Sequence, residues 1–146
     1  YFKDKNVDYV VTVETKGIPL AYEVAKSLGI ELVIIRRDNK ITEGPTVTIN
    51  YISGTSGKIQ QMSLAKKCMK NSSRCVFIDD FLRGGGTAQG IVDLLKEFDS
   101  ELVGTGVLVD NIGVKNKKTT DYISIIDVDY CKETSKLKVE PSKLIK

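Results

Sequence analysis

Apolar residues recur along this chain with two different periods. Residues 7–13 (Val-Asp-Tyr-Val-Val-Thr-Val) are nearly all apolar or β-branched and predict a buried strand. A loop follows over residues 14–19, and Pro19 suits the first turn of a helix. Leu20, Val24 and Leu28 then repeat every four residues with Ala21 and Ala25 beside them, which predicts a helix stopped by Gly29. Residues 31–35 predict a second strand, and strand–helix–strand implies parallel pairing through a right-handed crossover. Residues 46–52 alternate β-branched and polar positions, a third strand. Residues 53–58 are small and polar, suited to a hairpin tip or lid, and residues 59–68 fit a strand or a short helix equally well. A short apolar run at 76–78 reads as the end of a fully buried strand. Ile91, Leu94, Leu95 and Phe98 form one helical stripe at i, i+3, i+4 and i+7. Residues 102–109 and 122–128 predict two more strands, separated by a basic, polar excursion at 114–120. The tail from Lys132 is mixed in charge and expected to be peripheral. The sum is a three-layer α/β domain: a mostly parallel, twisted sheet of about five strands with helices on both faces.

One stretch carries chemistry as well as pattern. After the run at 76–78 come Asp79 and Asp80, then Phe81 and Leu82, then Arg83-Gly84-Gly85-Gly86-Thr87 and the start of a helix. Glycines tolerate positive φ, so successive backbone N–H groups can converge on one anion, and the helix start adds further donors. Thr87 can cap that helix or donate its hydroxyl to a phosphate oxygen. Ionised Asp79 and Asp80 only accept hydrogen bonds and would repel a phosphate. They must therefore face vicinal hydroxyls or a metal ion. A ribose 5-phosphate offers an anion at one end and a diol at the other. The bland alternative, an acidic turn followed by a glycine linker, accounts for each feature singly but not for their order.

Composition narrows the classes. A chain of 146 residues is one domain with room for a core, and its 41% apolar and 28% charged residues are ordinary for a globule. No apolar run could span a bilayer, so a cytoplasmic protein without membrane contact is expected. Its three cysteines, Cys68, Cys75 and Cys131, are odd in number and form no CxxC, which favours free thiols. A net charge of +3 suits a small anion and is too weak to argue for nucleic acid. Gly57-Lys58 lacks the first glycine of a Walker loop, and Gly104-x-Gly106 lacks the third glycine of a dinucleotide fingerprint. No organic cofactor is expected.

The stretch at 76–88 resembles the 5-phosphoribosyl-1-pyrophosphate (PRPP) signature of type I phosphoribosyltransferases. The resemblance implies that family's fold, with a flexible hairpin lid. It gives Asp79 and Asp80 the ribose hydroxyls, and Arg83, Gly84, Gly85, Gly86 and Thr87 the 5-phosphate. Arg83 departs from the small residue usual there, and Gly84 from the usual Thr. Glu14-Thr15-Lys16-Gly17-Ile18-Pro19 resembles the family's diphosphate loop, so Thr15, Lys16 and Gly17 inherit that role, and a non-proline cis peptide is expected in the loop. Arg36 or Arg37 is a second diphosphate contact or part of a solvated turn with Asp38, Asn39 and Lys40. By the same resemblance Tyr51 and Lys58 belong to the lid, and Phe81 is the candidate wall of a base pocket. Mg²⁺ would come with PRPP, and no protein side chain is assigned to hold it.

The wording between motifs is similar to one branch, the purine operon repressors of Gram-positive bacteria. It includes Val-Asp-Tyr-Val-Val-Thr-Val, Thr-Lys-Gly-Ile-Pro-Leu-Ala-Tyr, Asp38-Asn39-Lys40 with Thr42-Glu43-Gly44, Ile49-Asn50-Tyr51-Ile52-Ser53-Gly54, and Met62-Ser63-Leu64-Ala65-Lys66. Those repressors join a winged-helix DNA-binding domain to a phosphoribosyltransferase-fold domain in which PRPP is an effector. The resemblance implies an effector domain that binds PRPP without consuming it. It also implies a homodimer, purine nucleotides as competing ligands, and operator DNA met only through a winged helix absent from this chain. The chain has no His, and its lid segment 53–61 has no carboxylate, which favours sensing over turnover. The alternative is an active purine phosphoribosyltransferase.

Overall fold

A computed structural model describes residues 1–38, 44–54, 56–119, 121–131 and 135–144, with only the backbone at 131. In chain order the elements are β1 (Tyr9–Val13), α1 (Ile18–Leu28), β2 (Glu31–Ile35), β3 (Thr46–Ile52), β4 (Ile59–Ala65), β5 (Arg74–Leu82), α2 (Gly86–Lys96), β6 (Glu101–Asn111), β7 (Tyr122–Cys131) and β8 (Lys136–Pro141). The main sheet has six strands in the order β2-β1-β5-β6-β7-β8, and β3 pairs with β4 as a separate hairpin. β2, β1, β5, β6 and β7 run parallel, and β8 runs antiparallel to β7.

Alternation along the central strands builds two cores. Val11 and Phe77 point to one face, where they meet Ile91, Leu94, Leu95 and Phe98 of the α2 segment and Tyr51, Met62 and Leu64 of the hairpin. Val10, Val76 and Ile78 point to the other face and meet α1. This gives the three layers expected of the sequence. Ile91, Leu94 and Leu95 are fully buried, and each contributes roughly 1.5–3 kcal/mol relative to exposure. On α1 the centre of the buried face is Ala21 and Ala25, with Leu20, Val24 and Leu28 half-buried on its flanks. Two small side chains let that helix lie close against the sheet.

Several expectations are corrected. The ambiguous segment 59–68 resolves into β4 and a single 3₁₀ turn, Lys66–Cys68. The sheet gains a sixth strand, because part of the tail pairs as β8 (Val128 opposite Val139). Its apolar side chains gave no burial signal: Leu137 and Val139 stay about 60% and 58% exposed, so backbone pairing alone recruits it. β5 does not end at Ile78 but carries Asp79 and Asp80 within it as far as Leu82. Cys68 is exposed, Cys75 is buried, and both are free thiols. No helix among the described residues is long and apolar enough to cross a membrane. Asn39, Lys40, Thr42, Glu43, Thr55, Thr120 and the tail residues 132–134 and 145–146 lie outside the described residues.

Candidate functional site

The strand order fixes where a ligand can sit. From β1 the chain steps outward to β2; after the hairpin it returns to β5 on β1's other side and steps outward again to β6 and β7. The carboxyl ends of β1 and β5 therefore flank a topological switch point, where open α/β sheets bind ligands. The two loops that the sequence singles out leave from those two ends. A cavity of about 630 Å³ opens there, lined by Thr15 and Lys16 after β1, Asp79, Asp80 and Phe81 on β5, and Thr87 on α2. Arg37 adds a cation, and Ser53, Ser56 and Gln60 of the hairpin close one side.

The acid pair is electrostatically tight. Asp80 N–H donates to Asp79 Oδ1 at 2.9 Å. Burial first, and the hydrogen bond with Asp80 next, push the Asp79 carboxyl up to about 7, while the Arg37 charge pulls the other way. Two adjacent carboxylates resist ionising together. Near neutrality this pair can hold a proton that a diol or a cation would displace. Gly17 packs directly behind it: a Cβ there would lie 2.7 Å from Thr12 Oγ1 and 2.8 Å from Asp79 Oδ1. Thr12 Oγ1 is buried without a hydrogen-bond partner.

The glycine loop turns at Gly85, whose φ of 72° admits a side chain only with strain. It is clasped by the hairpin, because a Cβ on Gly86 would lie 2.0 Å from the Ile52 carbonyl oxygen. Arg83, Gly84, Gly85, Gly86 and Thr87 together line a small recess that adjoins Asp79 and Phe81. α2 starts at Gly86 and carries no side-chain cap, so Thr87 does not cap it and its hydroxyl remains available to the cavity it lines.

The loop after β1 contains a cis peptide between Glu14 and Thr15, as expected there. Of the two arginines weighed, Arg37 reaches the cavity. Its backbone N–H donates to Glu14 Oε1 at 2.7 Å, its Nε to the Glu14 carbonyl at 2.9 Å, and its Nη1 to Gln60 Oε1 at 2.8 Å. Arg36 pairs instead with Glu14 Oε2 at 3.3 Å. Arg37 thus ties the β1 loop to the hairpin through Glu14 and Gln60, a role for those two that no motif marked.

Tyr51 and Lys58 both belong to the β3–β4 hairpin but lie off the cavity lining. Tyr51 is buried against α2 beside Gly90 and donates its hydroxyl to Gln60 at 2.9 Å, so it anchors the hairpin rather than facing the cavity. Lys58 is exposed at the hairpin turn, off the cavity lining. Phe81 is about 39% exposed on the cavity wall.

The pattern of the phosphoribosyl transferase domain matches residues 1–139. The chain belongs to the phosphoribosyl transferase domain family. It is 50% identical over 125 residues to the purine biosynthesis transcriptional repressor PurR of Bacillus subtilis, covering 86% of this chain and 44% of that protein. It is 41% identical over 128 residues to the purine biosynthesis transcriptional activator PurR of Lactococcus lactis, covering 88% and 47%. The adenine phosphoribosyltransferase of Clostridium botulinum (Eklund 17B) is 35% identical over 133 residues, covering 88% and 75%. The chain therefore spans about half the length of the purine regulators it matches. Among solved structures, the adenine phosphoribosyltransferase of Giardia lamblia with 9-deazaadenine superimposes with a TM-score of 0.75 at 24% identity, covering 86% of this chain and 72% of that one. That likeness shows the phosphoribosyl transferase fold.

Proposed function

We propose that this chain is the PRPP-sensing domain of a purine operon transcriptional repressor, binding PRPP with Mg²⁺ without turning it over. The observation that carries the reading is the switch-point crevice, where an acid pair and a basic loop after β1 line one cavity and the glycine loop lines a recess that shares Asp79, Phe81 and Thr87 with it. Asp79 and Asp80 would accept from the ribose hydroxyls. Backbone amides of Gly84 to Gly86, with Thr87 and Arg83, would receive the 5-phosphate. Thr15, Lys16, Gly17 and Arg37 would receive the diphosphate. Mg²⁺ would arrive on that diphosphate.

Regulation is favoured over catalysis by the higher identity to a regulator (50%) than to an adenine phosphoribosyltransferase (35%). Repression is favoured over activation by the same measure, 50% against 41%. A homodimer in the cytoplasm fits this reading. Operator DNA would be met through a winged-helix domain outside this chain, and purine nucleotides would compete at the crevice. Titration calorimetry with PRPP and Mg²⁺ tests the proposal, and submicromolar to micromolar binding is expected; no heat at millimolar ligand overturns it. The enzyme reading draws support from the intact crevice. Its test is purine-dependent release of diphosphate, which the sensor should not show.

A further inference from the structure

The basic excursion before β7 is the sequence motif that the crevice leaves unused, and the chain folds it back onto the glycine loop. Residues 112–121 join the parallel strands β6 and β7, and their described part contains no helix. Lys118 N–H donates to the Gly84 carbonyl at 3.0 Å. The Thr119 amide nitrogen lies 2.9 Å from where a Cβ on Gly85 would sit. Lys117 points the other way, into the protein. Its Nζ pairs with Asp110 near the end of β6 and donates to the Tyr122 hydroxyl at 3.0 Å. That hydroxyl in turn donates to Asp110 Oδ2 at 2.8 Å. The Lys117 and Asp110 side chains are only 10% and 4% exposed. Asp110 also stands opposite Leu82, the last residue of β5 before the glycine loop.

Each contact has a physical consequence. Removing one partner of a buried ion pair leaves the other charge uncompensated, so this pair holds the 117–118 backbone firmly to β6 and β7. A trans peptide carries its C=O and N–H on opposite sides. Holding the Gly84 carbonyl toward Lys118 therefore turns the Gly85 N–H away from the excursion. A glycine pair would otherwise let that peptide plane flip at little cost. The structure assigns Asp110, Lys117 and Tyr122, acting through the Lys118 amide, as a latch that sets the peptide orientation of the anion-binding loop. They are positioning residues and touch no ligand. The effect on anion affinity rests on the 5-phosphate role proposed for residues 83–87; the latch itself does not.

The test combines two measurements on the whole chain. Hydrogen exchange of the Lys118 amide, without ligand, is compared in wild type, Lys117→Met, Lys117→Arg and Lys115→Ala. Exchange should quicken about tenfold in Lys117→Met, with the α1 amides unchanged as an internal control. Arginine at 117 should restore protection, and Lys115→Ala, which removes a charge from the same excursion, should leave it alone. Titration with ribose 5-phosphate should then show about tenfold weaker binding for Lys117→Met and Lys118→Pro. Unaltered exchange at Lys118 in Lys117→Met overturns the latch. A wild-type chain that binds neither ribose 5-phosphate nor PRPP defeats the proposed function instead, while the exchange data still decide the latch.

Discussion

Asp79 is the residue whose environment has the plainest consequence for pH. Its carboxyl is raised to about 7, from 3.8 as a free side chain, by burial and then by Asp80. The folded state thus binds more protons than the unfolded chain between about pH 4 and pH 7. Stability contributed by protonated Asp79 is complete at low pH and is lost as pH rises through that window. Urea titrations at pH 5 and pH 8 should show a loss of roughly 2 kcal/mol, and Asp79→Asn should flatten the difference. The function proposed for the same pair predicts the opposite trend in affinity, since an ionised carboxylate is the better acceptor for a diol. Replacing both Asp79 and Asp80 by Asn should weaken PRPP binding by about 2–4 kcal/mol, read by calorimetry. Unchanged affinity would remove the ribose assignment. These two acids were legible in the sequence because two carboxylates before three glycines have few structural uses. Glu14 and Gln60 were not legible, since a polar side chain that bridges two loops leaves no periodic or compositional trace.

Elements were legible where a side-chain period reports burial and illegible where backbone pairing does the work. The stripe Ile91, Leu94, Leu95 and Phe98 announced α2, and every member is buried. β8 alternates too, but Leu137 and Val139 bury little, so the tail looked peripheral. The hairpin shows a third case. β3 and β4 pack on α2 through Tyr51 and Met62, and the close contact depends on Gly90. A Cβ at that position would lie 2.8 Å from Met62 Cε and 2.9 Å from Tyr51 Cβ. The methionine end can yield, but the tyrosine Cβ moves only with its backbone. Gly90→Ala should therefore cost about 1–3 kcal/mol by overpacking, against the ~1 kcal/mol that alanine normally gains inside a helix. A net loss in urea denaturation is expected. Loosened protection of the β3–β4 amides should accompany it, because the hairpin is what alanine displaces.

At the scale of the whole molecule, local pattern named the loops, and only the family resemblance implied that they meet. Their meeting depends on β5 returning beside β1 while β3 and β4 leave the main sheet, a decision of strand order that no local pattern encodes. Once made, that decision puts parts of β1, β5, α2 and the hairpin around one cavity. A ligand spanning them ties together segments far apart in sequence, so occupancy should register as global stability. A ligand at a hundred times its dissociation constant that ignores the unfolded chain adds about 2.7 kcal/mol. For a domain of this size each kcal/mol raises the melting temperature by roughly 2–6 °C, so saturating PRPP and Mg²⁺ should raise it by about 5–15 °C. The Asp79→Asn, Asp80→Asn double variant should lose most of that rise at the same ligand concentration. Thermal unfolding followed by circular dichroism measures both. A wild-type melting temperature unmoved by PRPP would mean that the convergence of these loops does not bind it, and the sensor and transferase readings would fall together.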